Sequence, residues 1–194
     1  GIQTTDLGAN DVARSVAIDG NGKIVLAGTT NESVFGTESF AVARYNSDGS
    51  LDTSFSGDGQ QVTAGPTTIS NAHDVAIAGD GKVVVAGVSS NLFMLVRYNT
   101  NGSLDTSFDS DGIVTTNFGG NFGVAQSVVI QSNGQIVAGG NILVGLGNFQ
   151  LVRYNTNGSL DSNFGTGGIV VTSISTGNDV ATSVALLPNG NIVL

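Results

Sequence analysis

Oxygen-bearing side chains occupy alternate positions in the stretch RYNSDGSLD, residues 44–52, which is the spacing of a calcium-binding loop. Such loops arrange carboxylate and amide oxygens around a glycine at the sixth position. When Gly49 takes that position, Arg44 falls on the first ligand position, and a guanidinium cannot bind a cation. We therefore predict no cofactor for this chain. Calcium at Asp109 and Asp111 is the alternative.

The arginine of this stretch recurs in each copy of the motif, always with an aspartate eight residues later. The three pairs are Arg44 and Asp52, Arg97 and Asp105, and Arg153 and Asp161. A planar guanidinium forms charge-assisted hydrogen bonds that match the two oxygens of a carboxylate. We predict a repeated internal Arg–Asp contact of this bidentate kind, which gives the motif a structural role.

The motif belongs to an internal repeat with a period of about 55 residues. Arg-Tyr-Asn recurs at separations of 53 and 56 residues, and three further blocks recur with it. In chain order, the blocks of one unit are SVAI, KIVLAG, FAVARYN and GIVTT, here named strands A, B, C and D. Asn-Gly or Asp-Gly dipeptides lie between A and B and between C and D, as tight hairpin turns require.

Four short strands per unit predict an all-β fold, a β-propeller-like array of four-stranded antiparallel blades. The units are 1–58, 59–111, 112–167 and a truncated 168–194, in a single array that opens on a D strand at residues 1–5. A parallel β-helix is the alternative, but its coils are usually shorter. Since a closed propeller needs roughly four to eight blades, we predict a segment of a larger propeller, completed by other repeats or chains.

The net charge of −9 excludes two classes of partner. Duplex nucleic acid and anionic membrane surfaces both attract clustered Lys and Arg, and this chain has six of these residues against 15 Asp and Glu. No run of 18 apolar residues is present, so we predict no membrane insertion. The absence of cysteine excludes disulfides and thiolate metal sites.

Length variation between units is concentrated in the connection between strands B and C. From the last glycine of B to the first Phe of C, the interval is 12 residues in unit one, 6 in unit two and 9 in unit three. Insertions in one class of loop often mark a binding face, although loop length also drifts without function. The candidate binding residues on these connections are Glu32, Phe35, Glu38, Asn91, Leu146 and Asn148.

Residues suited to catalysis are few. His73 is the only histidine, and the other units hold Arg, Gln or Thr at its position, so the repeat does not require it. No nucleophile-elbow, zinc-protease or P-loop motif occurs. We predict that the chain is not an enzyme. The alternative is a polysaccharide lyase or hydrolase that gathers acids from several blades, such as Asp11, Asp74 and Asp179.

The combination of RYNxxGSLDxxF, GIVTT, SVAI and NGKIVLAG resembles the delta-sixty repeat over essentially the whole chain. That resemblance implies a propeller-like array in a secreted or surface-anchored bacterial protein, with a scaffold or binding role and no defined catalytic residues. We therefore predict a non-catalytic segment that mediates adhesion or assembly at the bacterial cell surface or outside the cell. Its expected ligand is a glycan or a protein.

Overall fold

Three four-stranded antiparallel sheets and one two-stranded sheet form the chain. The computed structural model describes residues 1–8, 10–31, 38–67, 69–143 and 147–194. The three large sheets contain β1 (Val12–Ile18), β2 (Ile24–Thr30), β3 (Ser39–Tyr45) and β4 (Gln60–Thr63); β5 (Ser70–Ile77), β6 (Val83–Ser89), β7 (Leu92–Tyr98) and β8 (Ile113–Thr116); and β9 (Phe122–Ile130), β10 (Ile136–Leu143), β11 (Asn148–Tyr154) and β12 (Ile169–Thr172). The small sheet pairs β13 (Ala185–Leu186) with β14 (Ile192–Val193).

Each large sheet is a meander in which strands adjacent in sequence are hydrogen-bonded neighbours. The predicted strands A to D of one unit are therefore one sheet, and we name the three sheets blades one, two and three. The first strands of successive blades contact each other, which places them on the inner side of the array. Across the described ranges there is no helix, and hence none that could span a bilayer. The prediction of an all-β array of four-stranded antiparallel blades is confirmed.

Glycines in the left-handed region make the tight turns between first and second strands. The backbone N–H of Asp19 donates to the carbonyl of Lys23 at 2.9 Å and closes the first of these turns. The glycine of each turn has a positive φ of 78° at Gly22, 83° at Gly81 and 83° at Gly134. Residues with a Cβ rarely adopt this conformation, which explains the Asn-Gly and Asp-Gly dipeptides of the sequence.

The hydrophobic core lies between blades. One cluster joins Phe40, Val42 and Phe55 of blade one to Val85, Met94 and Tyr98 of blade two. A second cluster joins Phe93, Leu95 and Phe108 of blade two to Ala125, Ile136 and Tyr154 of blade three. Blade two is thus covered on both faces, and β6 is buried along its whole length. This explains why its sequence, VVVAGVS, shows no apolar–polar alternation.

The two ends of the array differ from the sequence prediction. Residues 1–8 contain no strand, although a D strand was expected at residues 1–5, because no C-type strand of the described residues lies beside them to pair with. Thr5 nevertheless takes the place of a D-strand residue, since its hydroxyl hydrogen-bonds to Tyr45 Oη at 2.7 Å. In the fourth unit, β13 and β14 are only two residues long each.

A β-bulge interrupts the first strand of each blade near its start. The extra residue is Arg14 in blade one, His73 in blade two and Gln126 in blade three. Each bulge lies opposite a glycine of the second strand, namely Gly28, Gly87 or Gly140. A Cβ on Gly87 would lie 2.0 Å from the carbonyl oxygen of Asn71. The glycine at the end of the KIVLAG block is therefore required for the bulge.

This contact predicts the effect of Gly87→Ala. The added methyl overlaps main-chain atoms, so we expect the free energy of unfolding to fall by about 1–3 kcal/mol or more, measured by urea denaturation. Gly79→Ala is the matched control, since a Cβ at Gly79 meets no atom within 4 Å. Equal stabilities of the two variants would contradict this explanation of the glycine.

Candidate functional site

A clasp joins the third strand of each blade to the segment that follows it. In blade two, Arg97 Nε donates to Asp105 Oδ2 at 2.7 Å, and both side chains are buried. Asp105 Oδ1 accepts from the hydroxyl of Ser107 at 2.7 Å. The prediction of a bidentate Arg–Asp contact is therefore wrong, because the second carboxylate oxygen of Asp105 accepts from Ser107. The equivalent Nε contacts are 2.7 Å for Arg44 and Asp52 and 2.8 Å for Arg153 and Asp161.

The clasp has a third member that sequence reasoning missed. Lys82 Nζ lies 2.9 Å from Asp105 Oδ2, and Lys23 Nζ lies 2.6 Å from Asp52 Oδ2. In blade three, the equivalent residue is Gln135, whose Nε2 donates to Asp161 Oδ2 at 2.8 Å. The sequence does show a polar residue at the same place in GKIV, GKVV and GQIV. Its spacing gives no indication that this side chain reaches a carboxylate more than 20 residues later.

The arginine of the clasp also reaches the next blade. Arg97 Nη1 donates to the carbonyl of Thr156 in blade three at 2.6 Å, and its guanidinium lies 4.4 Å from the centre of the Phe108 ring. In blade one, Arg44 makes the equivalent contacts with Thr100 at 2.7 Å and Phe55 at 4.6 Å. The conserved spacing of the motif within the chain thus serves a joint between blades.

Two further hydrogen bonds recur at each joint. The phenol of the third strand bonds to a threonine that lies before its own blade, in the pairs Tyr45 and Thr5, Tyr98 and Thr63, and Tyr154 and Thr116, at 2.7, 2.7 and 2.6 Å. Thr63 belongs to blade one and Thr116 to blade two. The backbone N–H groups of Ser56 and Asp109 donate to the carbonyls of Asn101 and Asn157 in the next blade at 2.7 and 2.9 Å. Blade two therefore contacts blade three through Arg97 and blade one through Tyr98.

The clasp carboxylates are held in the charged form. Burial of Asp105 opposes its ionisation, but the hydrogen bonds from Ser107 and Lys82 and the charge of Arg97 outweigh it and lower the pKa. Burial of Asp52 is likewise outweighed, first by Lys23, then by Ser54 and by the charge of Arg44. A buried carboxylate that accepts from several donors in this way is a structural group.

The oxygen atoms of the calcium-like stretch are bonded within the protein. Asp48 Oδ1 accepts from the hydroxyl and the N–H of Ser50, and Asn46 Oδ1 accepts from Lys23 Nζ at 3.1 Å. Asp109 and Asp111 are both exposed, and Asp111 Oδ1 accepts from the N–H of Ile113 at 2.8 Å. Among the residues that the structure describes, no group of three or more His, Asp or Glu is placed to hold a metal ion. Calcium at this pair stays a prediction.

The connections between second and third strands are anchored to the next blade at equivalent points. Three backbone hydrogen bonds, at 3.0, 2.9 and 2.7 Å, join Ser70 N to Glu38 O, Gly123 N to Asn91 O and Asp179 N to Gly147 O. Of the other predicted binding residues, Asn148 is half-buried in β11, and Glu32, Phe35 and Leu146 lie outside the described residues. Glu38 and Asn91 thus lie on the connections of blades one and two, whereas Asn148 is the first residue of the third strand of blade three.

The bulges place a row of polar side chains at the same end of the blades, which we name the bulge row: Arg14, His73 and Gln126. His73 Nδ1 lies 2.8 Å from Gln126 Oε1. Burial lowers the pKa of His73, the hydrogen bond to Gln126 opposes this shift, and the nearby charge of Arg14 lowers the pKa further. Sequence reasoning aligned these positions but did not identify them as a site. The pattern that could have identified them is A-x-[SD]-V, in which the second residue is the most variable.

Asp74 supports the bulge row from within the inner strands. Its two carboxylate oxygens accept from Ser15 Oγ of blade one at 2.6 Å and from Ser127 Oγ of blade three at 2.9 Å. The N–H groups of Val75 and Val128 donate to it as well, at 2.9 and 2.8 Å. This one side chain therefore connects three blades.

The other two acids of the enzyme hypothesis lie in separate networks. Asp11 Oδ2 accepts from the N–H of Leu7 at 2.6 Å. Asp179 accepts from the N–H of Ile174 and the hydroxyl of Ser175, and these bonds lower its pKa, led by the one from Ile174. A general acid needs a raised pKa, so the environment of Asp179 favours a structural role.

Two open clefts lie at the opposite end of the blades, between blades one and two and between blades two and three. Their volumes are about 850 and 720 Å³. Both are lined by the turns after the first strands and by the clasp arginines, Arg44 and Arg97. Because the two clefts repeat the same chemistry, we interpret them as a consequence of the repeat.

The clasp predicts a specific dependence of stability on pH. Because the pKa of Asp105 is lowered from 3.8 in the folded state, its stabilising contribution is present above about pH 4 and is lost as the pH falls below that value. Asp105→Asn should therefore be less stable than wild type at pH 7, and the difference should shrink toward pH 2. Urea unfolding across this range measures both curves, and parallel curves would contradict the prediction.

The tyrosine bond at the second joint predicts a coupled pair. Tyr98→Phe leaves the buried hydroxyl of Thr63 without its partner, and we expect a loss of about 1–2 kcal/mol. The double variant Tyr98→Phe/Thr63→Val removes both polar groups, so it should recover part of that loss. A double-mutant cycle by chemical denaturation tests this, and additive effects of the two substitutions would argue against the bond.

Comparison with known families locates the repeat motif in the same parts of the chain. The model of a beta-propeller domain of unknown function, DUF5122, matches residues 20–55, 78–108 and 131–164, a little over half of the chain. Each matched segment begins near the turn after a first strand and ends at or close to the clasp Phe. No curated protein matches the chain. The name delta-sixty repeat stays a resemblance of the motifs, and the chain belongs to the DUF5122 family of beta-propeller domains.

Proposed function

We propose that this chain is a non-catalytic propeller scaffold that binds a glycan or a protein at one end of its blades, in a bacterial extracellular or cell-surface protein. The binding end carries the connections between second and third strands together with the bulge row. Adhesion and assembly are the roles that such a scaffold serves.

The observation that carries the proposal is that variation is concentrated at one end of the blades. The connection from Gly28 to Phe40 is twice as long as that from Gly87 to Phe93, at 12 and 6 residues. At the same end, the bulge position changes from Arg to His to Gln. The opposite end repeats its turns and clasps with nearly constant spacing. Repeat proteins typically place their binding surface where the repeats differ.

The clasps support a scaffold role, because their charges are committed to holding blades together. Five of the six Lys and Arg side chains contact a clasp carboxylate: Lys23, Lys82, Arg44, Arg97 and Arg153. Breaking one member of such a buried group leaves the others without partners, which is costly. These residues are therefore poor candidates for catalysis and good candidates for rigidity.

The outer face of blade three supports the assembly role. Phe55 and Phe108 are fully buried by the following blade, whereas Phe164 is half-buried. The Arg153 side chain is 20% exposed, against 7% for Arg44 and 9% for Arg97. This face presents the groups of the two observed joints, so another repeat of the same kind fits it. The resemblance to repeats of bacterial surface proteins supports the extracellular setting.

A connection exchange tests the binding end. Residues 29–39 are replaced by the five residues 88–92 of unit two, VSSNL, and wild type and variant are screened against arrayed bacterial polysaccharides and for self-association. We expect wild type to bind at least one probe and the exchange to weaken that binding about tenfold or more while the melting temperature is kept. The control is Asp80→Asn in the turn between β5 and β6, at the opposite end of the blade. It introduces the residue that blade three has at the same place, Asn133, and should bind like wild type. Absence of binding to every probe and to itself would overturn the proposal.

Asp74→Asn separates the scaffold from the alternative, a polysaccharide lyase or hydrolase. In a scaffold, the substitution weakens hydrogen bonds to three blades, and we expect a loss of about 1–3 kcal/mol of stability. In an enzyme that uses Asp74 as an acid or base, turnover of a polysaccharide is lost without unfolding. Thermal denaturation and an assay for released or unsaturated sugar, run on wild type and variant, decide between the two.

A further inference from the structure

We propose that the outer face of blade three and the open edge of β14 form a docking groove for a strand from a separate chain. The docked segment has the chemistry of a third strand and ends in Tyr-Asn-Thr-Asn-Gly. This inference rests on the assembly role in the proposed function, and it names the segment that binds and the contacts that hold it.

The joint between blades two and three shows what such a segment supplies. Residues 154–158 of blade three read YNTNG. Their tyrosine phenol bonds to Thr116, and the carbonyls of their threonine and second asparagine accept from Arg97 Nη1 and the N–H of Asp109. Their glycine packs on Phe108, since a Cβ at this glycine would lie 3.2 Å from the ring. Four of the five residues therefore contact the preceding blade.

The joint between blades one and two repeats these contacts with the same five letters, at residues 98–102. The tyrosine bonds to Thr63, and the two carbonyls accept from Arg44 Nη1 and the N–H of Ser56. A Cβ on the glycine would lie 3.1 Å from the ring of Phe55. Two joints in one chain thus define the partner by its chemistry: a phenol, two carbonyls and a glycine at fixed spacing.

Blade three carries the two donors for such carbonyls on its outer face. Arg153 Nε bonds to Asp161 at 2.8 Å, and among the residues that the structure describes its Nη1 has no acceptor. Gly165 has a φ of 56°, as Ser56 has 56° and Asp109 has 50°, so the backbone keeps the conformation that aims those N–H groups at the next blade. The N–H of Gly165 likewise has no acceptor within the described ranges. Both donors are placed for a following YNTNG segment.

The hydroxyl and the ring that complete a joint are also accessible on this face. Thr172 is exposed, whereas the equivalent Thr63 and Thr116 are buried and bonded to tyrosine. Phe164 is half-buried, whereas the equivalent rings of blades one and two are fully buried. The outer face of blade three thus presents every group that the two observed joints use on the side of the preceding blade.

The edge of β14 supplies backbone hydrogen bonds to the docked strand. Among the described strands, β14 pairs only with β13, so its other edge is open. In each blade, the tyrosine of the third strand lies opposite the first residue of the second strand, as Tyr154 lies opposite Ile136. Ile192 is the equivalent residue of β14, so the docked tyrosine lies opposite Ile192. Leu194 packs against Gly139 of blade three, which places this edge on the same face as the donors.

The docked strand comes from a separate chain, because the third strands of the described residues are all in use. The strands β3, β7 and β11 each pair on both sides within their own blade. Their tyrosines are already bonded to threonines. An open strand edge readily pairs with a strand of another chain, and addition of an extended segment to such an edge is a common mode of peptide recognition.

The test uses a fluorescein-labelled peptide of residues 149–160, FQLVRYNTNGSL, whose binding is followed by fluorescence anisotropy. We expect saturable binding, with ¹⁵N chemical-shift changes in the protein that centre on residues 164–165, 172 and 192–193. A peptide with Gly158→Ala should bind about tenfold more weakly or worse. Its alanine would need the φ of 90° that this glycine has in the chain and would crowd the Phe164 ring.

A matched pair of threonine variants tests the groove from the side of the protein. Thr172→Val removes the hydroxyl that bonds to the peptide tyrosine, and it should weaken binding about five- to tenfold. Thr115→Val is the control, because Thr115 is an exposed threonine in the fourth strand of blade two, outside the groove. It should bind the peptide like wild type, and thermal unfolding of both variants checks that the blades are intact.

Three outcomes overturn the inference: no saturable binding of the peptide, equal binding of the Gly158→Ala peptide, or equal effects of Thr172→Val and Thr115→Val. The connection exchange alters blade one and is scored with polysaccharides, so it reports on a different surface. If wild type binds a polysaccharide and the exchange weakens that binding while the peptide fails to bind, the inference fails and the proposed function stands.

Discussion

The guanidinium at the blade joint is the contact on which the rest of the structure depends. Arg97 bonds to Asp105 in its own blade, to the carbonyl of Thr156 in the next blade, and lies over the ring of Phe108. A buried charge is tolerated only when hydrogen bonds replace the water that it loses. Arginine has enough donors in a fixed geometry to satisfy a carboxylate and a carbonyl at once. Lysine, with a single ammonium, could not span the two blades in the same way.

The rigidity of these joints explains why the inner strands can carry diverse residues. The clasps and the tyrosine bonds hold the outer strands, and Asp74 holds the inner strands of three blades together. With the frame fixed at both places, the same backbone accepts Arg14, His73 or Gln126 at the bulge. Under the proposed function, such a position separates binding from folding, because a substitution there need not disturb the core.

Much of the fold was predictable because the repeat makes the chain its own comparison. The recurring blocks identified the four strands of each blade, and the constant spacing of eight residues identified Arg97 with Asp105 as a pair. The contact with Lys82 was missed, since it joins parts of the unit that no local period relates. The contact of Arg97 with the carbonyl of Thr156 was also missed, because every residue type has a backbone carbonyl and the sequence cannot show which one accepts. The strand expected at residues 1–5 failed because a strand depends on its neighbour as well as on its own sequence.

The candidate site was harder to predict than the blades for a physical reason. A bulge places one extra residue in a strand, so the alternation of faces along that strand is interrupted and the pairing register shifts by one residue. The repeat aligned Arg14 and Gln126 with His73 in the sequence, but only the backbone register shows that all three are bulge residues at the same end of their blades. The glycine opposite the bulge was visible from the start as the end of the KIVLAG block, but its meaning required the 2.0 Å approach of the facing carbonyl. In a repeat protein, a constant glycine facing a changeable residue is therefore a signal that can be sought in sequence alone.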